Sequence, residues 1–164
     1  MSNKEDEIYS EQRIQTSFLA NIERKTLLWL ASKMPDWVTP DMLTFLGLAA
    51  MALVGLGYYL AANHWIFLIL ANAGFIMNWF GDSLDGTLAR YRKQERPKYG
   101  YYLDHLADAF GSTFMIFGVA YSGLVHQPFV WLVLALFLIA SINTYLATNA
   151  IDIFKISYLR ISTT

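Results

Sequence analysis

No cysteine occurs among the 164 residues, so disulfides, thiol nucleophiles and zinc–thiolate centres are excluded and the redox compartment is left unmarked. Charge is scarce as well: Asp, Glu, Lys and Arg make up 15% of the chain against 55% hydrophobic residues, the reverse of a disordered segment's balance. Cations are absent from two long stretches, residues 34–89 and 99–154. With a net charge of −1, no nucleic-acid partner is expected. The first forty residues contain no short apolar core ahead of a cleavage site, so no cleavable signal peptide is expected.

What is present is apolar length. After residue 41 the hydrophobic residues gather into stretches of about 20, enough for a helix to cross a hydrocarbon core of roughly 30 Å. The expected fold is all-α, a polytopic transmembrane helix bundle with four spans: about Met42–Ala62, Trp65–Ala89, Gly100–Leu124 and Phe129–Ala150. The short connections at Asn63–His64 and His126–Pro128 imply antiparallel neighbours. Ahead of them, residues 1–12 read as a polar tail and residues 13–34 as an amphipathic helix on the membrane surface, with Ile14, Phe18, Ile22, Leu27, Leu28, Leu30 and Ala31 near helical spacing. Pro35 and Pro40 interrupt the chain before the first span, and Trp37 between them suits the headgroup level.

Charge placement orients the bundle. All twelve Lys and Arg fall in residues 4–33, in residues 90–98, or at Lys155 and Arg160. Four spans put those three places on one side, and the positive-inside rule makes that side cytoplasmic. Both termini and the 90–98 loop are therefore expected in the cytoplasm.

Four carboxylates interrupt this apolar pattern: Asp82, Asp85, Asp104 and Asp108, in the span ends flanking the basic loop. Ionisable groups at membrane depth are expensive and mark functional sites. Asp82 and Asp85 are i and i+3, and Asp104 and Asp108 are i and i+4, so each pair shares a helix face. A hairpin through residues 90–98 brings the faces together. Four crowded carboxylates need a compensating cation, and oxygen ligands favour Mg²⁺, Mn²⁺ or Ca²⁺ over zinc or copper. The competing reading pairs the acids with Arg90, Arg92 and Lys93 or spends them on helix ends. Gly86 and Ala89 extend the acidic face by one turn each, leaving a bare strip where a flat base or a diphosphate can approach the backbone. Arg90 follows, with a guanidinium able to fork onto phosphate.

The run Asp82-Ser-Leu-Asp85-Gly86-Thr-Leu-Ala89-Arg90, nine residues, then Gly100-Tyr-Tyr-Leu-Asp104-His-Leu-Ala-Asp108 resembles the signature of the CDP-alcohol phosphotransferase family, DxxDGxxAR…GxxxDxxxD, at all eight specified positions. Thr39-Pro-Asp-Met-Leu-Thr44 is similar to that family's approach to its first span. The resemblance implies transfer of a substituted phosphoryl group from a CDP-linked donor to an alcohol with release of CMP, in phospholipid biosynthesis. It implies that residues 35–164 are the catalytic membrane domain and that Asp82, Asp85, Asp104 and Asp108 hold one or two Mg²⁺ or Mn²⁺ ions. Gly86, Ala89, Arg90 and Gly100 are then the nucleotide-site residues and Asp108 the catalytic base. CDP-diacylglycerol with a small alcohol is the expected pairing; a CDP-choline or CDP-ethanolamine donor with diacylglycerol is the alternative, and a homodimer is implied. An ion transporter is the reading from another class, disfavoured because all four acids cluster towards one face.

The family pattern has six spans against four here, so either the sequence stops two C-terminal helices short or it is a reduced variant. Weaker signals remain. A polar stripe on the fourth span, Ser141, Thr144, Tyr145, Thr148, Asn149 and Asp152, is expected to make interhelical hydrogen bonds. His105, off the acids' shared face, reads as a packing residue or a group behind the ligands.

Overall fold

The protein is described by a computed structural model, which covers residues 18–151. The polar tail, residues 13–17 and the residues beyond 151, with Asp152, Lys155 and Arg160, lie outside the described residues. Five α-helices and one 3₁₀ turn follow in order, and no strand occurs among the described residues. They are α1 (Phe18–Lys33), α2 (Pro40–Ala61), the turn Trp65–Phe67, α3 (Leu68–Tyr91), α4 (Pro97–Tyr121) and α5 (Gln127–Ile151).

Three segments are long and apolar enough to cross a membrane: Pro40–Ala61, Trp65–Tyr91 and Gln127–Thr148. With the family assigned below, they make the chain a multi-pass membrane protein. The expected fourth span, α4, has the length at 25 residues but not the composition, because Lys98, Asp104, His105 and Asp108 dilute its first half. The candidate site residues Asp104 and Asp108 are thus among those that weaken its hydropathy.

α1 sits on the end of α3. Its Leu27 and Ala31, 8% and 1% exposed, pack with Val38, Leu43, Leu84 and Leu88 in one apolar cluster, while Trp29 and Leu28 stay exposed. That is the one-sided burial of an amphipathic surface helix. The linker then turns into α2, where Thr39 caps the helix by accepting from Met42 N–H at 3.3 Å and Pro40 occupies the first turn.

Small residues bring α2, α3 and α4 into backbone contact, the usual means of packing helices where lipid removes any hydrophobic drive between them. A Cβ added at Gly81 of α3 would lie 2.6 Å from the Leu43 carbonyl oxygen, and one at Gly57 of α2 would lie 2.6 Å from Ala71 N. At Gly118 of α4 it would overlap the Gly55 carbonyl of α2. α5 packs on α4 alone at the level of rings, with Phe117 and Trp131 5.0 Å apart at one end and His105 and Tyr145 4.1 Å apart at the other.

α3 stops at a turn with Lys93 in the left-handed conformation (φ 55°), and Gln94 N–H bonds back to the Ala89 carbonyl at 2.9 Å. This tight ending lets α4 begin at Pro97, so the basic loop and α1 share one end of the bundle.

Candidate active site

The four acids lie on the helix ends flanking that turn: Asp82 and Asp85 on α3, Asp104 and Asp108 on α4. Asp104 is close enough to Asp82, Asp85 and Asp108 to interact with each electrostatically. Asp82 also interacts with Asp85 and with Asp108. They form a chain of neighbours centred on Asp82 and Asp104. The tightest potential ligand set among the described residues is Asp104, His105 and Asp108, whose donor atoms all lie within 4.8 Å of one another.

No described Lys or Arg forms an ion pair with any of the four. Of the nearby cations, Arg90 is close enough to attract Asp85 electrostatically, while Arg92 and Arg96 are engaged elsewhere. Arg90 lies over Gly86, where an added Cβ would meet its Nη1 at 3.4 Å, and its Nη2 reaches Thr87 Oγ1 at 3.4 Å. Arg92 donates to backbone carbonyls of residues 34–38. Arg96 pairs with Asp41 and covers the Tyr99 ring at 4.4 Å. Four clustered carboxylates with one arginine and one histidine near them remain an excess of negative charge, which fits a hard divalent cation of the kind oxygen donors prefer.

Asp85 is held at both oxygens. Thr44 Oγ1 of α2 donates to Oδ2 at 2.5 Å, and Gly86 N–H donates to Oδ1. Thr44 lay inside the motif at the start of the first span, but its partner is 41 residues away and could not be read from spacing. His105 is more central than its sequence context implied. It stacks on Tyr145 with ring centroids 4.1 Å apart, has the Tyr101 ring tilted against it at 4.0 Å, and places Nδ1 3.7 Å from Asp104 Oδ2. That nitrogen is buried without a hydrogen-bond partner. On the polar stripe of α5, Thr144 and Thr148 return their hydroxyls to carbonyls four residues back, Ala140 and Thr144, instead of to another helix.

Two cavities meet at the acids. The larger, about 1050 Å³, is walled by α1 through Glu23, Arg24 and Leu28, and reaches Asp82, Asp85 and Asp104. Gly86, Ala89, Arg90 and Gly100 all line it, and Gly100 has nothing within 4 Å of an added Cβ, so this wall is open. Asp108 is not there. It lines a second cavity of about 320 Å³ with Asn78, Ser112, Met115 and Phe137. Thr44 and Asp82 border both chambers. The larger exceeds most small-ligand sites and the smaller is at their lower limit.

A polytopic helix bundle with paired carboxylates on adjoining helix ends marks a membrane protein with a functional site at one end of the bundle. The family profile described as CDP-alcohol phosphatidyltransferase matches residues 37–160, and the chain belongs to that family, whose members are transferases of phospholipid synthesis. Over 97 residues it is 35% identical to the archaetidylinositol phosphate synthase of Pyrococcus horikoshii, a match covering 59% of this chain and 48% of that protein. The match thus spans about half the length of that relative. No solved structure gives a significant match.

Proposed function

We propose that the protein transfers a substituted phosphoryl group from a CDP-linked lipid to an alcohol, releasing CMP, at the cytoplasmic face of the membrane. The observation that carries this reading is the partition of the acids: three open on a nucleotide-sized cleft, the fourth opens on a separate small chamber, and Asp82 stands between.

In this reading the donor's nucleotide occupies the larger cleft. Its flat parts lie along Ala89 and Gly100, the latter open on its Cβ side, and reach Gly86 once the Arg90 side chain that lies over it moves. Arg90 turns from Gly86 to the diphosphate, using the fork geometry that suits phosphate oxygens. Asp82, Asp85, Asp104 and Asp108 hold one or two Mg²⁺ or Mn²⁺ ions, with His105 behind Asp104. A bound ion would neutralise diphosphate oxygens and ease departure of the CMP phosphate. The acceptor alcohol enters the smaller chamber, where Asp108 takes the hydroxyl proton. The alcohol oxygen bonds to phosphorus as the bond from phosphorus to the CMP oxygen breaks, and CMP leaves with that electron pair. General-base assistance of this kind contributes roughly 10²–10⁴-fold.

α4 crosses the membrane as a fourth span in this arrangement, with Asp104 half-buried and Asp108 exposed, each at a cavity it shares with α3. The cations of α1 and of the loop share one end of the bundle, which supports a cytoplasmic site. The likeness to an archaetidylinositol phosphate synthase favours a lipid-bearing donor with inositol phosphate as acceptor over transfer of a choline-type head group to diacylglycerol.

The test is CMP release from CDP-diacylglycerol and CDP-archaeol by purified protein with Mn²⁺. The acceptor panel should include inositol phosphate, inositol, glycerol phosphate and serine. Release with at least one acceptor is expected; none with any of them, nor from CDP-choline with diacylglycerol, overturns the assignment.

A further inference from the structure

We propose that Arg92 is a positioning residue: its guanidinium latches the surface helix α1 in place as one wall of the nucleotide cleft. The latch is read from contacts; its effect on nucleotide binding rests on the function proposed above.

Arg92 is the C-terminal cap residue of α3 and is half-buried. Its Nη2 donates to the carbonyls of Met34 at 3.2 Å and Pro35 at 2.8 Å. Its Nη1 donates to those of Val38 and, at 3.4 Å, Asp36. One side chain therefore gathers four carbonyls from the six-residue linker 34–39. Two of them lie just past the end of α1, where the last carbonyls of a helix have no partner within it and carry negative partial charge. Arginine is the side chain suited to this, with five donors in a rigid plane. No described carboxylate pairs with Arg92.

The latch matters because of what α1 presents. Leu27 and Ala31 face α3, while Glu23, Arg24 and Leu28 face the cleft. The apolar contact is small, so the angle of this wall depends on the linker that leads from α1 into α2. That linker is fastened to the same helix end that carries Arg90. Two positions apart on a helix, the two arginines point to different sides. Arg90 serves the cleft, and Arg92 holds its wall.

The chain has no cysteine, so spin labels can be placed at Lys25 and Lys98, both exposed, without removing native thiols. The parent pair should give one narrow distance distribution in lipid nanodiscs. Arg92→Gln, which keeps a polar side chain without the fork, should broaden it and weaken CDP binding in Mn²⁺ roughly tenfold, as misplacement of a site wall does. Arg92→Lys should move both readouts in the same direction by less. Lys93→Asn, which removes the neighbouring cation and tolerates the left-handed backbone, should leave both unchanged. An unchanged distribution in Arg92→Gln and Arg92→Lys overturns the latch. So does weakened CDP binding with an unchanged distribution, because Arg92 would then touch the ligand itself. Broadening in a protein that binds no CDP even as the parent leaves the latch standing and removes the nucleotide reading.

Discussion

Thr44→Val tests whether the hydroxyl from α2 sets the aim of Asp85. Valine keeps the shape of threonine and deletes only the donor that reaches Asp85 Oδ2 at 2.5 Å. A hydrogen bond to a charged group contributes about 1.5–3 kcal/mol. Asp85 is half-buried, so water replaces part of the loss, and the lower half of that range applies, about 1.5–2 kcal/mol. At 1.4 kcal/mol per tenfold, this corresponds to roughly 10–30-fold. The loss should appear in metal affinity, because an orienting group acts through the ligand it holds. Gly86 N–H still fixes the other oxygen, so the ligand is loosened and not removed. CMP release measured against Mn²⁺ concentration should show half-saturation shifted upward by that factor. Turnover at saturating Mn²⁺ should stay within a few-fold of the parent, and Thr44→Ser should restore the parent curve. A fall in turnover with unchanged half-saturation would refute the argument, as would no change in either.

Asp108→Asn should abolish turnover while largely sparing CDP binding, since Asp108 faces the smaller chamber; equal loss of both assigns it to metal binding alone. Gly118→Ala should lower the thermal midpoint in detergent, because its Cβ would overlap the Gly55 carbonyl and overpacking costs about 1–3 kcal/mol, more than the ~1 kcal/mol that alanine gains as a helix former. An unchanged midpoint would place that crossing elsewhere. A cysteine at Gln94, exposed in the basic loop, should be labelled by an impermeant reagent only from the cytoplasmic side of oriented vesicles; labelling from outside alone reverses the orientation.

Much of this architecture was legible in the sequence because it is local. The i+3 and i+4 spacing of the acids decides which face they share, and the short loop between Arg90 and Gly100 decides that the two faces meet. The surface helix was expected over residues 13–34 and is described from Phe18 to Lys33. What stayed hidden depends on contacts across 41 to 58 residues of chain: the hydroxyl of Thr44 on Asp85, and the carbonyls under Arg92. Such contacts follow from the rotation of one helix against another, which periodicity does not carry. His105, expected as a packing residue or a group behind the ligands, has packing that was hidden for a related reason. Its position between two acids says nothing of Tyr145, which arrives from the next helix and turns the imidazole towards Asp104.

The backbone contact between Gly55 and Gly118 acts as a fulcrum. Thr44 stands eleven residues from it along α2 and Asp104 fourteen along α4, or about 16 and 21 Å at 1.5 Å per residue. Tilting one arm by ~3° about that pivot swings its tip by about 1 Å, the scale on which reacting groups fall out of alignment. A bilayer that changed the tilt of these helices about that contact would therefore change the spacing of the acids, to the extent that the Met51–Gly111 contact nearer the site gives way.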